Sequence, residues 1–332
     1  MSKARELSQR AGVDGALSNR NLIINGAMQV AQRGTSASPA PSGYLVDRFA
    51  TFKSGAGTFS LAQSSDAPVG FSKSLLATVT SASTPSGGDY YIIQHPIEGQ
   101  DFSVLAQGTA NALTSTLSFY VKSSLTGTFS GSLRDGPSGL SYVFEYTISS
   151  ANTWERKSAT ISGSTSGTFP TDNTAGARLA FSLGQGTTYA TSTVGSWVSG
   201  NFHGSTTETD FIATNGATFQ ITGVQLEVGD TATPFEHRSY GQELALCQRY
   251  YKCGSTRLCF IGVGGRYGFA QVDAHQYRTT PSCTHTFTSS GYGTILNVGS
   301  FAPIGTTYSV DVQTDVGIGM DGIINWTADA EL

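Results

Sequence analysis

Alternation of apolar and polar residues recurs along most of this chain, and it limits the fold more than any single motif does. The stretch "LSYVFEYTI" places Leu140, Tyr142, Phe144, Tyr146 and Ile148 on one side of an extended backbone, with Ser141, Glu145 and Thr147 on the other. "ARLAFSL" repeats the pattern with Leu179, Phe181 and Leu183, and "TLSFYV" with Leu117, Phe119 and Val121. A period of two marks strands with one buried and one solvated face, as antiparallel sheets have. Turn-rich pieces such as "TPSGGD", "RDGPSG" and "SGSTSG" separate these strands. Many strands at short spacing predict an all-β chain whose main body is an antiparallel jelly-roll sandwich.

Composition agrees with that reading. Charged residues make up 13% of the 332 residues, against about 25% in typical domains. Fourteen Tyr and 18 Phe supply apolar bulk, so the 40 glycines and the Ser/Thr excess read as turns, not as solvated disorder. A net charge of −4 carries no basic footprint, which argues against nucleic acid as a partner. "MSKARELSQRAGVDGAL" has no apolar segment of the secretory kind, and no run approaches the roughly 18 apolar residues of a membrane span. Disulfides are therefore not expected. Cys247, Cys253, Cys259 and Cys283 lack the paired spacing of zinc sites and read as free thiols.

One compact helical signal interrupts the β pattern, in "FQITGVQLEVGDTATPFEHRSYGQELALCQRYY" (residues 219–251). Phe219 and Ile221 are odd-numbered, whereas Val224, Leu226 and Val228 are even, so a β-bulge is predicted at Thr222-Gly223. Ser239 with Gln242 three residues later forms a capping-box pattern. Tyr240, Leu244, Cys247 and Tyr251 then follow at helical spacing and predict a helix of about three turns. A helix that short is marginal alone, so the stripe is expected at a domain or subunit contact.

Catalytic motifs fail on context. "GIGMDG" (Gly317, Gly319, Gly322) has the outline of a dinucleotide fingerprint, but too little chain follows for a helix and a ribose-binding acid. "GSTSG" at 163–167 has Thr165 where a nucleophile elbow needs Ser. His95, His203, His237, His275 and His285 are scattered, and Asp273 near His275 lacks an assignable nucleophile. Glu208/Asp210 and Asp311/Asp315 are carboxylate pairs whose separation in space the sequence does not give. No catalytic residue, metal or cofactor is assigned, and the chain is not expected to be an enzyme.

A series of blocks carries a family resemblance: "NLIINGAMQVAQRGTS", "GYLVDRF", "HPIEG", "STLSFYVKSS", "NTWERKSATI" and the 219–251 stretch, in that order. The series resembles tailed-bacteriophage virion proteins of the cyanophage type: tail fibres, receptor-binding proteins and spikes whose jelly roll is similar to carbohydrate-binding modules. "MSKARELSQ" is similar to the attachment arm of such fibres, and "NWTADAEL" to their chain ends. The resemblance implies a virion component made in the host cytoplasm, usually a homotrimer, held by its N-terminus. It implies an arm at 1–20, a carbohydrate-binding-module-like jelly roll at 21–238, a linker helix at 239–252 and a C-terminal β-domain at 253–332. Structural calcium is common in related jelly rolls; Asn25 and Glu227 are the one pair to consider, and no metal is assigned to them.

The function implied is adhesion to a host surface polysaccharide, with no nucleic acid and no membrane insertion. Sugar recognition uses exposed aromatic faces and a few planar polar groups. The candidates are Tyr189, Trp197, Phe202 and His203 in "TTYATSTVGSWVSGNFHGS", Tyr90 and Tyr91 in "GDYYIIQH", and Arg266 and Tyr267 in "GGRYG". Trp154 is excluded because it matches a structural strand. Two other readings stand beside this one: a purely structural connector or head decoration, and a glycan depolymerase. Depolymerases of this kind usually add a long repetitive β-helix, and no internal repeat is present.

Overall fold

The computed structural model describes residues 20–260, 267–273, 277–289, 295–298, 302–304, 307–314 and 320–332. Residues 1–19, where an attachment arm is expected, lie outside them, as do Arg266, His275, Asp315, Gly317 and Gly319. Contacts divide the chain into two compact units, Met1–Glu243 with Leu332, and Leu244–Glu331.

The first unit is an all-β jelly-roll sandwich. Its six-stranded sheet runs, neighbour to neighbour, Ser36–Ala37, Thr58–Ser64, Ser74–Ser81, Thr218–Val228, Ser115–Ser123 and Glu155–Ile161. The seven-stranded sheet runs Trp197–Ser199, Leu140–Ile148, Gly127–Asp135, Ala175–Gln185, Tyr90–Glu98, Ala50–Ser54 and Gly43–Tyr44. Apart from a two-residue parallel ladder between Ala190–Thr191 and Gly204–Ser205, strand pairs in this unit are antiparallel. The outer edge strand Glu155–Ile161 carries Glu155, Arg156 and Lys157, and charge on an exposed edge discourages pairing with other chains.

The core fills the space between the sheets. Phe119 of the six-stranded sheet meets Phe181 of the other edge to face at 5.0 Å, and Phe219 stacks on Phe129 at 6.1 Å. All four are essentially inaccessible to solvent. Each such ring contributes about 1.5–3 kcal/mol through burial alone. Alternation locates the inward face correctly, but it underestimates burial on the outer one. Ser141 and Val143, at outward positions of their strand, are buried, and so are Ala180 and Ser182. The segment 186–210 folds back over that face, which is why the outer residues of a nominally half-solvated sheet lose their water.

The predicted bulge is present. Pairing of the Thr218–Val228 strand with Ser115–Ser123 shifts register between Thr222 and Gln225, and Gly223 has φ +61°. That left-handed backbone suits glycine. The shift lets the chain's early segment dock: Val224 N–H donates to Gly26 O at 3.0 Å, and Leu22 N–H to Leu226 O at 2.9 Å. A Cβ on Gly26 would lie 2.1 Å from Val224 O, a backbone atom that cannot rotate away. Gly26→Ala should therefore cost about 1–3 kcal/mol as an overpacking change. The expected result is a lower urea midpoint with an unaltered slope.

Asn25 and Glu227 are engaged separately. Asn25 Nδ2 donates to Val30 O and Asp47 O, while Glu227 accepts from Gln225, Thr233 N–H and Thr233 Oγ1. No group of metal-ligating residues gathers among the described residues.

The helix is Tyr240–Gln248, nine residues, or two and a half turns. Its capping box forms as expected: Gln242 N–H donates to Ser239 Oγ at 3.4 Å, and Ser239 N–H to Gln242 Oε1 at 3.1 Å. The buried positions are Glu243 and Cys247, followed past the helix end by Tyr250 and Tyr251. Tyr240 is 57% exposed and Leu244 half-buried, and Tyr251 already begins a strand. The expected stripe of Tyr240, Leu244, Cys247 and Tyr251 is thus corrected to one that includes a carboxylate. Counting apolar residues alone could not find it, because Glu243 is buried through its polar partners. The division between the compact units falls within this helix, after Glu243.

In the second unit Tyr251–Phe260 pairs with Met320–Asp329, which also pairs with Ser282–Ser289. A second sheet joins Tyr267–Asp273, Thr307–Thr314 and Ile295–Val298, with Ala302–Ile304 beside them. Gly254 stands opposite Trp326, whose indole would lie 2.6 Å from a Cβ there. Gly322 lies within a strand, so no helix follows the glycine-rich "GIGMDG". Cys247 is buried, Cys253 exposed and Cys283 half-buried. No described helix is long and apolar enough to cross a membrane.

Candidate functional site

The outer face of the seven-stranded sheet holds a cleft of about 400 Å³, and its lining follows from strand alternation. Where Tyr91 and Ile93 point into the core, Tyr90, Ile92 and Gln94 point outward. Where Leu133 and Leu179 point inward, Arg134 and Arg178 point outward. Phe52 comes from the next strand, and Gly136, Pro137 and Ser138 from the turn after Asp135. The segment 186–210 supplies the rest: Tyr189, Asn201 and His203.

A local ladder brings two of these rings together. Ala190 and Thr191 pair in parallel with Gly204 and Ser205, and His203 N–H donates to Tyr189 O at 2.8 Å. Tyr189 and His203 immediately precede the two ladder strands, so their rings stack at 4.7 Å with 14° between planes. Tyr90 meets both edge to face, at 4.9 Å from each. His203 is buried, while Tyr90 and Tyr189 are half-buried and present ring surface.

Arg134 is the polar centre of the cleft, only 3% exposed. It donates to Asn201 Oδ1 at 2.6 Å and to Gln94 Oε1 on the far side of the intervening strand. That strand contributes Ala180 at the register position beside Gln94, a side chain small enough to be crossed. Arg134 Nε is buried without a partner, as is His203 Nδ1. Desolvation, with Arg178 nearby, lowers Arg134 to about 10, so it remains a cation at neutral pH. Desolvation and the Arg134 charge push His203 down to about 2, so its imidazole is neutral.

The chain has no protein-family match and no match among curated proteins. Solved structures give partial likenesses. The enzymatically active domain of tailspike protein 4 from bacteriophage CBA120 is 15% identical over 63% of this chain and 22% of that chain, with a TM-score of 0.34. The family 11 carbohydrate-binding module of a Clostridium thermocellum cellulosomal cellulase is 13% identical over 60% and 95%, with a TM-score of 0.30. The N-terminal cellulose-binding domain of Cellulomonas fimi β-1,4-glucanase C is 16% identical over 61% and 100%, with a TM-score of 0.26. This chain spans about a fifth of the tailspike structure's length. At these scores none of them decides what the cleft holds.

Of the expected site residues, Tyr90, Tyr189 and His203 converge on the cleft. Tyr91 does not: it is wholly buried, with its hydroxyl accepting from Gly57 N–H at 2.8 Å. Alternation requires this, since neighbours on a strand face opposite ways. Trp197 lies on the edge strand, packed on Tyr142 and Phe169, and donates its indole N–H to Ser162 O at 2.7 Å. Phe202 is half-buried outside the cleft lining, its N–H held by Ser141 Oγ. Arg266 lies outside the described residues, and Tyr267 opens a strand whose side chains there are not described. Trp154 precedes its expected strand and donates to Asp66, with Lys122 5.7 Å over its ring.

Arg134, Arg178, Gln94, Asn201 and Phe52 escape a reading of the sequence. The alternation that places Leu133 and Leu179 in the core also puts Arg134 and Arg178 outward. What the sequence lacks is the order of strands that makes them neighbours. The carboxylate Glu208 sits elsewhere on the same face, against Ser130 and Ser182. No residue lining the cleft is acidic.

Proposed function

We propose that this chain binds a cell-surface glycan in the cleft on its seven-stranded sheet, as the adhesion protein of a bacteriophage particle. The observation that carries the glycan part is the aromatic wall of Tyr90, Tyr189 and His203 beside a guanidinium fixed by two side-chain amides. Sugar rings offer apolar C–H faces to aromatic surfaces and hydroxyls to planar polar groups, and both kinds of partner meet here. The particle part rests on the sequence blocks that resemble phage fibres and spikes, with residues 1–20 as the attachment arm and a homotrimer as the assembly. Binding without bond cleavage is part of the reading.

Tyr189→Ala tests the site directly. It removes the half-buried ring that covers His203, and a well-packed anchor of this type contributes about 2 kcal/mol, or roughly 30-fold in affinity. Retention on immobilised bacterial surface polysaccharide should fall by that factor while the thermal midpoint moves little. Equal retention by the variant would remove the cleft as the site. Incubation should release no reducing ends from the polysaccharide, and measurable release would replace adhesion with hydrolysis. A solution mass of one chain at micromolar concentration would remove the homotrimer.

A further inference from the structure

We propose that the cleft selects acidic glycans, with Arg134 and Arg178 receiving a carboxylate or sulfate group of the polymer; this rests on the glycan-binding reading above. The two arginines are direct partners across the antiparallel pair formed by Gly127–Asp135 and Ala175–Gln185. Both point to the outer face and line the same cleft. Like charges directly opposite one another in a sheet are destabilising. Two cations in this position need a negative charge, and the cleft lining provides none.

The hydrogen bonds of these arginines leave the charge available. Arg134 is oriented by the amide oxygens of Asn201 and Gln94, and Arg178 Nε donates to Gly136 O at 3.0 Å. All three acceptors are neutral. They fix the guanidinium groups without cancelling their charge, whereas a carboxylate partner would do both. Asp135, next along the strand, lies outside the cleft lining; its carboxylate acts on Arg134 only weakly through space and is taken up by Gly139 N–H, Leu140 N–H and Thr168 N–H. The buried Nε of Arg134, which has no partner, adds an unsatisfied donor on the same cation. A planar guanidinium held this way matches the oxygens of a carboxylate or sulfate, and charge-assisted bonds of this kind are about twice as strong as neutral ones. His203 is neutral and stacked on Tyr189, so it contributes ring surface beside the charge.

The test uses matched polymers and the full chain. Dissociation constants would be measured by calorimetry for polygalacturonate against its methyl ester, and for dextran sulfate against dextran. The expected result is that at least one acidic polymer binds at least tenfold more tightly than its neutral match, and that 0.5 M NaCl weakens this preference. Which acidic polymer leads distinguishes a carboxylate from a sulfate ligand. Arg178→Gln, at a half-buried position, should reduce the preference below threefold at a thermal midpoint no lower than the parent's, since it relieves a like-charge pair. Equal or tighter binding of both neutral polymers overturns acidic selectivity and leaves the glycan reading in place. A full preference retained by Arg178→Gln overturns the assignment to this arginine pair. Binding of none of the four polymers counts against the glycan reading itself, and acidic selectivity falls with it.

Discussion

Glu208→Gln is expected to match the parent protein in urea at pH 4 and to outlast it at pH 9. Burial raises the Glu208 carboxyl from an ordinary value near 4.5 to about 8, against the lowering effect of its serine partners. The local geometry also favours the protonated form. Ser182 Oγ lies 2.7 Å from Glu208 Oε1 and also within hydrogen-bonding distance of Gln185 Oε1. One hydroxyl hydrogen cannot serve two acceptors, but a protonated Glu208 can donate to Ser182 and free it for Gln185. A folded pKa above the unfolded one means that the folded chain holds the extra proton between those values. Stability from this group is therefore intact below about pH 4.5 and declines as pH rises toward 8. The full effect is about 5 kcal/mol as an upper bound, since each tenfold gain in proton affinity is worth about 1.4 kcal/mol. Glutamine keeps one acceptor and a donor in the same place and cannot ionise, so its profile should be flat through this window.

Two histidines act in the other direction. His95, wholly buried with Nε2 3.0 Å from Ile24 O, and His203 both have pKa values held below the ordinary 6.5, chiefly by desolvation. Their contribution is complete above pH 6.5 and is lost as pH falls below it, because the unfolded chain then takes up protons that the folded chain refuses. The parent protein should be most stable near pH 6 to 7. Tryptophan fluorescence in urea at pH 4, 6.5 and 9 measures both limbs. A parent no weaker at pH 9 than Glu208→Gln would show that Glu208 ionises without cost.

Glu243→Ala is the second large effect expected, a loss of about 2–3 kcal/mol. This carboxylate is only 6% exposed and accepts from Asn25 N–H while lying 3.5 Å from Arg238. Arg238 in turn donates to Asn21 O and Ile23 O. One ion pair thus joins the start of the helix to the segment that docks at the Thr222–Gln225 bulge. Removing the acid leaves a backbone N–H unpaired, at about 1–3 kcal/mol, and takes from a nearly buried cation the nearer of its two carboxylates, Glu236 remaining at 3.8 Å. Glu243→Gln keeps an acceptor for Asn25 and should lose markedly less. A urea midpoint in Glu243→Ala equal to that of Glu243→Gln would show that the charge contributes nothing beyond the hydrogen bond.

The glutamate also shows where sequence reading stops. Ser239 and Gln242 announce the helix start because capping depends on residues three positions apart, and that interaction is local. The bulge at Thr222-Gly223 is legible for a similar reason: a change in the parity of apolar residues must be absorbed by an extra residue. The buried face of the helix is not legible, because Glu243 finds its partners at Asn25 and Arg238, one of them more than two hundred positions away.

The candidate site divides along the same line. By itself the sequence determined that the chain is all-β, that Leu179, Phe181 and Leu183 face a core, and that Tyr189 and His203 belong to one aromatic segment. These follow from chemistry repeated every second residue or confined to a short loop. Only the tertiary structure decided that the strands carrying Tyr90, Arg134 and Arg178 are neighbours, and that residues 186–210 fold across them. Strand order is set by how whole sheets bury their apolar faces. Residues that meet in a cleft across three strands therefore leave no spacing for the sequence to display.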